Sequence, residues 1–237
     1  MTTAVIALGK IGLPLALQIT SKGQHVIGAD INQDVVNLVN DGVEPFPGET
    51  DLQEKLDHAI SENLLTATTN TVEAVSKSKE IIVVVPVIVD NDGIPDFSMI
   101  DSATAEIAKG LQPGTLISYE TTLPIGTTRN RFKPELEKIS NLTCGEDFFL
   151  CHSPERVFSG RIFADLRKYP KLVGGTDEKS SDLAVEFYER ILDFDDRPDL
   201  ERANGVWILG SSEAAEMAKL AETTYRNVNI ALANEFA

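Results

Sequence analysis

The feature that most constrains the fold is the alternation of apolar runs and a glycine turn in the first 30 residues. Residues 5–8 predict a strand, and Gly9 and Gly12 then form a turn that leads into a helical pattern. Residues 26–29 predict a second strand, with Asp30 at its carboxyl end. This order is that of the βαβ unit that binds dinucleotides, and it predicts an α/β protein with a nucleotide site at the turn.

The residue types at this turn suit one ligand. Gly9 lets the backbone approach a pyrophosphate, Gly12 lets the helix pack closely on the strand, and the helix N-terminus faces the phosphates. Asp30 stands where a carboxylate accepts hydrogen bonds from ribose hydroxyls and repels the extra phosphate of NADP. The expected cofactor is therefore NAD.

The glycine pattern is incomplete, because Ala7 stands where such turns usually carry their first glycine. Alanine carries a steric penalty there if the backbone needs a positive φ, and little penalty otherwise. A strand, turn and helix that bind no nucleotide remain the alternative.

The net charge disfavours two classes of partner. The chain of 237 residues has 21 Lys and Arg against 37 Asp and Glu, a net charge of −16 at pH 7. Nucleic acid and anionic membrane surfaces would repel it. No apolar run approaches membrane-spanning length, and the chain begins directly with a strand rather than a signal peptide, so a cytoplasmic protein is expected.

The two cysteines are expected to be structural. Cys144 and Cys151 are close enough in sequence for a disulfide, but the strand pattern around them favours reduced, buried thiols. Cys151 and His152 form the only Cys/His neighbour pair, and no ligand spacing accompanies it. No metal site is expected.

Strands and helices continue to alternate along the chain. The β-branched run at 81–85 predicts a strand buried on both faces. Other strands are expected at 65–67, 115–119, 148–152, 172–173 and 206–209, helices at 35–39, 52–62, 98–110, 127–138 and 181–192, and loops at 45–49, 90–96 and 193–204. The predicted fold is a Rossmann-like, doubly wound, mostly parallel sheet over residues 1–210.

A long helix is expected from 211 to 237. Its apolar residues keep helical spacing to the last residue, and no glycine or proline ends it. This pattern predicts that the natural chain continues beyond Ala237 and that the sequence is a fragment.

Four further segments carry polar residues of interest. They are 85–87, 120–128, 152–157 and the helix face formed by Lys219, Thr223 and Arg226. Each has an ordinary alternative when taken alone. The threonines after a strand suit helix caps, Glu155 and Arg156 suit a solvated pair, and Lys219 between Glu216 and Glu222 suits a surface ion-pair network.

Taken together, the motifs resemble the UDP-glucose/GDP-mannose dehydrogenase family over essentially the whole chain. They are GKIGLPLA at 9–16, PIGTT at 124–128, SPERV at 153–157, KLVGG at 171–175, KLAE at 219–222 and YRNVNIALANE at 225–235. Their wording is most similar to the branch that acts on UDP-N-acetylhexosamines. The resemblance implies NAD-dependent oxidation of a sugar C6 alcohol to a carboxylate through an aldehyde and a cysteine-linked thioester.

The resemblance also implies roles for individual residues. Those assigned to the cofactor are Gly9, Lys10, Ile11, Gly12, Asp30, Val87, Thr121 and Thr122, with Val87 and Thr122 near the nicotinamide half. Those assigned to catalysis are Glu155 as general base in thioester hydrolysis, Lys219 as proton-transfer group or oxyanion stabiliser, Thr122 and Thr223. Those assigned to the UDP-sugar are Arg156, Val157, Lys219, Thr223 and Arg226. The long helix is expected to support a homodimer.

The sequence departs from the family pattern at several points. Ala7 replaces a glycine, Val87 a threonine and Thr223 an asparagine that would support Lys219. The family's nucleophilic cysteine is expected beyond Ala237, in a UDP-sugar-binding domain, so residues 1–237 alone are expected not to complete the reaction. Two alternatives stay open: a divergent, non-catalytic NAD-binding module, and a β-hydroxyacid dehydrogenase, which also carries a helix-borne lysine after such a domain.

Overall fold

A mostly parallel, eight-stranded sheet forms the centre of the fold. The computed structural model describes all residues from Met1 to Ala237. Its strands are β1 (Thr2–Ile6), β2 (His25–Ala29), β3 (Leu65–Thr68), β4 (Glu80–Val83), β5 (Ile88–Val89), β6 (Pro95–Asp96), β7 (Leu116–Tyr119), β8 (Phe149–His152), β9 (Lys171–Gly175) and β10 (Val206–Ile208). The sheet order is β3-β2-β1-β4-β7-β8-β9-β10, with β8 and β9 antiparallel, and β5 and β6 form a separate hairpin. The predicted Rossmann-like fold is confirmed.

Helices cover both faces of the sheet. They are α1 (Gly12–Thr20), α2 (Gln33–Asn40), α3 (Leu52–Ser61), α4 (Thr71–Ser76), α5 (Ser98–Gly110), α6 (Lys133–Ser140), α7 (Ile162–Lys168), α8 (Glu178–Ile191) and α9 (Ser212–Phe236). A wide π-helical turn, Thr128–Phe132, leads into α6. Several starts are capped by side chains, as when Asp177 accepts from the Ser180 N–H and Ser211 from the Ala214 N–H.

The core consists of two apolar layers, one on each face of the sheet. One layer holds 26 buried residues around α1, α3 and α8, and the other holds 20 around α4, α5 and α6. Every residue of β4 is buried, as its β-branched sequence predicts for a strand covered on both faces. The crossover direction reverses between β1 and β4, which opens a crevice at the carboxyl ends of these strands.

Some predicted boundaries are wrong for identifiable reasons. The first strand ends at Ile6 and not at residue 8, because Ala7 has φ +78°. The helix expected from 181 begins at Glu178, since Asp177 caps it. The helix expected from 127 becomes regular only at Lys133, after the π turn. The sequence patterns gave no indication of α4, α7 or the β5–β6 hairpin.

The long helix α9 is present and has two different parts. Its first turns pack on the sheet, where Ala215 is fully buried and lies over Gly174 of β9. Further along, Tyr225, Val228 and Phe236 are exposed. No helix of the chain combines the length and hydrophobicity needed to cross a bilayer. The division into units 1–210 and 211–237 stays a prediction.

The strained backbone at Ala7 gives a test of the fold. A left-handed conformation costs an alanine about 1–2 kcal/mol, and glycine avoids this at an entropic cost of about 0.5–1 kcal/mol. We therefore expect Ala7→Gly to raise the free energy of unfolding by up to about 1 kcal/mol in a urea titration. Ala105→Gly, within α5, is the control and should lower it by about 1 kcal/mol. A destabilised Ala7→Gly variant would contradict the positive φ.

Candidate active site

A cleft lies at the carboxyl ends of β1, β2 and β4, where the fold opens its crevice. Its lining residues come from the strand ends, the turn after β1 and the facing side of α5; they include Ala7, Gly9, Lys10, Ile11, Gly12, Asp30, Val85, Met99 and Ser102. Five of the residues predicted to bind the cofactor, Gly9 to Gly12 and Asp30, therefore line one cavity.

The turn between β1 and α1 is shaped for a ligand that approaches the backbone. A Cβ on Gly12 would lie 1.9 Å from the Ala7 carbonyl oxygen, so strand and helix approach each other at this point more closely than any side chain allows. A Cβ on Gly9 would meet no atom within 4 Å and would extend into open space. No side chain caps the first turn of α1, which leaves its N-terminus to an anion.

Asp30 closes the other side of this turn. Its carboxylate accepts a hydrogen bond from the Leu8 N–H at 2.7 Å and one from the Asn32 N–H at 2.9 Å. Each carboxylate oxygen keeps a lone pair for a further donor. The residues present thus fit NAD: the turn would hold its pyrophosphate, and Asp30 a ribose diol.

The next part of the sheet edge holds the predicted nicotinamide-side residues. The Thr121 hydroxyl donates to the Val85 carbonyl at 2.7 Å and so joins the ends of β4 and β7. Thr122 is exposed at the same edge, and Val87 is half-buried against the apolar layer below it. Val87 and Thr122 do not line the cleft around Asp30, so their cofactor roles stay predictions.

Helix α9 brings Lys219 to the segment that follows β8. The Lys219 ammonium donates to the backbone carbonyl of Glu155 at 2.6 Å. Burial lowers the pKa of Lys219 against the opposing attraction of Glu222 and Glu155. The surface network with Glu216 and Glu222 is wrong as a description of Lys219, because its ammonium is directed to the Glu155 carbonyl. Glu216 is instead fully buried.

Buried Glu216 accounts for the geometry of the PIGTT segment. Its carboxylate accepts from the N–H groups of Gly126 and Thr128 and from the Thr128 hydroxyl, at 2.5 to 2.8 Å. It thereby joins α9 to the turn that follows Pro124. The helix-cap reading of these threonines is wrong, because no side chain caps the π-helical turn and the Thr128 hydroxyl donates to Glu216.

The Glu155 side chain is not the solvated partner of Arg156 that sequence alone suggests. Its Oε2 accepts from the Lys171 ammonium at 2.7 Å, and the same ammonium donates to Glu120 Oε2 at 2.7 Å. The Lys171 side chain is 5% exposed. Sequence reasoning missed Glu120 and Lys171 as partners of Glu155, although both lie within motifs that it quoted.

The other predicted substrate residues lie on the segment after β8 and on α9. Arg156 donates to the Pro170 carbonyl at 2.5 Å and pairs with Glu222 of α9. Arg226 lies with its guanidinium 5.2 Å from the Phe158 ring centre. Thr223 donates to the Lys219 carbonyl within its own helix, so its hydroxyl is not directed at the Lys219 ammonium. Val157 packs on the apolar layer around α1, α3 and α8.

A clamp missed by sequence reasoning connects the segment that follows β8 to the loop at 45–49, across a cavity from the cofactor turn. Glu49 accepts hydrogen bonds from the Gly160 and Ile162 N–H groups at 2.5 and 2.6 Å. A second cavity lies between this clamp and the turn and is lined on one side by Gly9 and Lys10. The clamp joins residues more than 100 positions apart, and no local pattern signals such a contact.

Neither cysteine is a plausible nucleophile in this structure. Both are free and buried, as predicted. Burial raises the pKa of Cys151 to about 12, and burial also raises that of Cys144. A thiol that resists ionisation is a poor nucleophile.

The fold and the cleft define a dinucleotide-binding α/β domain followed by a helix that carries a lysine to the backbone carbonyl of Glu155. Residues 1–192 match the model of the "UDP-glucose/GDP-mannose dehydrogenase family, NAD binding domain". The chain belongs to this family, as its motifs predict, and its cofactor is NAD.

Relatives from one branch of the family resemble the chain over its full length. It is 37% identical to a UDP-N-acetyl-D-mannosamine dehydrogenase of Pyrococcus horikoshii and 34% identical to that of Escherichia coli K12, covering 100% of this chain and 53% and 54% of theirs. The solved structure of the UDP-D-ManNAc dehydrogenase from P. horikoshii superposes with a TM-score of 0.90, covering 100% of this chain and 53% of that one. The chain thus spans about half the length of these relatives.

The two glycines of the turn are expected to respond differently to substitution. Gly9→Ala should keep the free energy of unfolding within about 0.5 kcal/mol, because its Cβ meets no protein atom. The methyl should nevertheless displace the pyrophosphate and weaken NAD binding at least about tenfold by calorimetry.

Gly12→Ala is the counterpart. Its methyl overlaps the Ala7 carbonyl, so the variant should lose about 1–3 kcal/mol of stability. A Gly9→Ala variant that binds NAD normally would show that the pyrophosphate does not pass over this residue.

The Glu49 clamp predicts a local effect. Glu49→Gln removes the charge and leaves one side-chain oxygen for two N–H donors. The free energy that holds this segment closed should therefore fall by about 1 kcal/mol or more. Amide exchange at Gly160 and Ile162 should then accelerate about tenfold by NMR. Glu54→Gln, on the exposed side of α3, is the control and should leave both rates unchanged. Equal rates in both variants would contradict the clamp.

Proposed function

We propose that this chain is the cofactor-binding and acid–base half of an NAD-dependent UDP-sugar 6-dehydrogenase that oxidises a UDP-N-acetylhexosamine, such as UDP-N-acetyl-D-mannosamine, to its uronic acid. NAD, when bound, would supply the hydride acceptor for C6, with one NAD for each of the two oxidations from alcohol to acid. The relatives' printed names support the substrate, and the chain's own residues support the chemistry.

The observation that carries the proposal is the position of Lys219. Its ammonium binds the Glu155 backbone at 2.6 Å, on the segment that the Glu49 clamp holds beside the cofactor turn. Strand β8 lies two strands from β4, about 10 Å along the same sheet edge. A sugar in this space would have the cofactor on one side and an ammonium and a carboxylate on the other.

Each group then has a chemical task. The Lys219 ammonium stabilises the alkoxide that develops at the C6 oxygen, and its lowered pKa eases transfer of its proton. The Glu155 carboxylate accepts a proton from the water that hydrolyses the thioester, whose cysteine we place outside residues 1–237. Arg156 and Arg226 supply positive charge for the diphosphate of the sugar nucleotide.

The proposal extends to the oligomeric state, the cellular location and the pathway of the enzyme. The exposed apolar residues of α9, among them Tyr225, Val228 and Phe236, support a homodimer through this helix. Two free, buried thiols and the use of NAD favour the reducing cytoplasm. A nucleotide-linked uronic acid is a precursor for polysaccharide biosynthesis.

Cofactor selectivity tests the proposal. The chain should bind NAD in a calorimetric titration and bind NADP at least about tenfold more weakly, because the Asp30 carboxylate repels a 2′-phosphate. Asp30→Ala should remove this preference and weaken NAD binding about tenfold to hundredfold, the loss of one or two hydrogen bonds to a charged group.

The control for this experiment is Asp34→Asn, which removes one negative charge from the exposed start of α2 without touching the cleft. It should bind both nucleotides as the unmodified chain does. If NAD and NADP bind the unmodified chain equally, Asp30 does not contact the ribose and the proposal fails at its first step.

A further inference from the structure

The carboxylates of Glu120 and Glu155 share one cation inside the protein. Lys171 lies at the start of β9 and donates to both at 2.7 Å, while Glu120 follows β7 and Glu155 follows β8. The side chains are almost completely buried, with 5% of Lys171, none of Glu120 and 11% of Glu155 exposed. We call these three residues the acid–lysine cluster.

The cluster has one charge too many if both acids are ionised. Two carboxylates and one ammonium give a net charge of −1, and an unbalanced buried charge is strongly unfavourable. The titratable groups around it do not correct this. Burial raises the pKa of Cys151 to about 12, raises that of Tyr188 and lowers that of His152 to about 3, so all three are neutral at pH 7.

Two further cations border the cluster without neutralising both acids. Lys219 of α9 directs its ammonium to the Glu155 backbone carbonyl, and Arg156 directs its guanidinium to Pro170 and Glu222. Both lie on the Glu155 side. One of the two acids must therefore carry a proton, which we call the surplus proton. The surroundings of the two carboxyls decide which acid carries it.

The two acids have different surroundings. Glu155 accepts the Arg156 N–H at 2.8 Å in addition to Lys171, and it is the acid with some exposure. Glu120 is fully enclosed, and its second oxygen lies 2.6 Å from the Tyr188 hydroxyl, which in turn lies 2.7 Å from the Ser118 hydroxyl. A protonated Glu120 can donate to Tyr188, and Tyr188 can donate to Ser118. Each donor in this series of hydrogen bonds then has an acceptor.

We propose that Lys171 and Glu120 are positioning residues for Glu155: Glu120 holds the surplus proton, and Lys171 thereby keeps Glu155 ionised and fixed as the base. Burial raises the pKa of Glu120 to about 7 despite Lys171. Burial opposes ionisation of Glu155 too, but the charge and hydrogen bond of Lys171 outweigh it and lower its pKa. Two acids that differ in this way divide the roles of proton holder and base.

The inference rests on the proposed function only where it gives Glu155 a catalytic task; the proton positions themselves are independent of it. The chain labelled with glutamate carrying ¹³C at the carboxyl carbon reports each acid by NMR between pH 4 and 9. One carboxyl signal should titrate near pH 7, and this signal should be absent from the Glu120→Gln variant. The Glu155 signal, identified by its loss in Glu155→Gln, should remain that of a carboxylate at pH 5.

Two substitutions at Lys171 separate positioning from simple packing. Lys171→Met keeps the length of the side chain and removes the charge, so the pKa of Glu155 should rise by at least about one unit. Lys171→Arg should restore a low value. Glu213→Gln, which removes the surface partner of Arg129, is the control and should move neither titration.

The stability of the chain gives a second readout if Lys171→Met does not fold. Glu120 binds its proton more tightly in the folded state, so the free energy of unfolding should lose a contribution as the pH rises from about 4.5 to about 7. Glu120→Gln should remove this loss. A loss that persists in Glu120→Gln would overturn the inference.

The outcomes distinguish this inference from the proposed function. If the carboxyl that titrates near pH 7 disappears in Glu155→Gln instead, or no carboxyl titrates above about pH 5, the inference is overturned. NAD binding by the same samples would then still support the proposed function. Conversely, the expected titrations in a chain that does not bind NAD would support the cluster and contradict the proposed function.

Discussion

The close approach of the Ala7 carbonyl to Gly12 determines much of this structure. At this point α1 rests directly on the end of β1, with no side chain between them. The approach positions the N-terminus of α1 over the crevice between β1 and β4 and leaves Gly9 open to it. All residues of α1 are buried, and its apolar side chains lie within one layer of the core, so the core supports the cofactor turn in addition to the Asp30 hydrogen bond.

The substrate side of the site depends on a different kind of interaction. The residues proposed for catalysis lie in the segments after β7 and β8 and on α9, which are far apart in the sequence. Buried Lys171 and Glu216 and half-buried Lys219 join them. Lys171 connects the segments after β7 and β8, Glu216 connects α9 to the turn after Pro124, and Lys219 donates from α9 to the Glu155 backbone carbonyl. Such contacts stabilise little after the cost of desolvation, but they fix the relative positions of the groups they join.

The sequence predicts the local features well, and each miss has a physical cause. Apolar periodicity identifies most strands and helices, because it records which faces are buried. The predicted first strand was too long, because the apolar pattern continues through Ala7 and does not reveal the positive φ of this residue. The site was predictable where residues are neighbours in sequence, as in the turn at 9–12. Glu49 and Lys171 were missed because their partners are far away along the chain and pair through backbone and buried charge.

The roles assigned through family resemblance differ in how much geometry supports them. Lys219 and Glu155 are in contact through a main-chain carbonyl, and Gly9 and Asp30 line one cleft. Thr223 turns its hydroxyl to its own helix, so the support that an asparagine would give Lys219 is absent from this position. Val87 contributes apolar packing where a threonine would offer a hydroxyl.

A crystal structure of the chain with NAD would show whether the turn after β1 and Asp30 bind the cofactor. We expect a pyrophosphate over Gly9 and the N-terminus of α1, with both hydroxyls of the adenosine ribose within about 3.2 Å of the Asp30 carboxylate. The nicotinamide should point along the sheet edge toward Thr121. NAD bound elsewhere, or a ribose turned away from Asp30, would show that this turn is not the cofactor site.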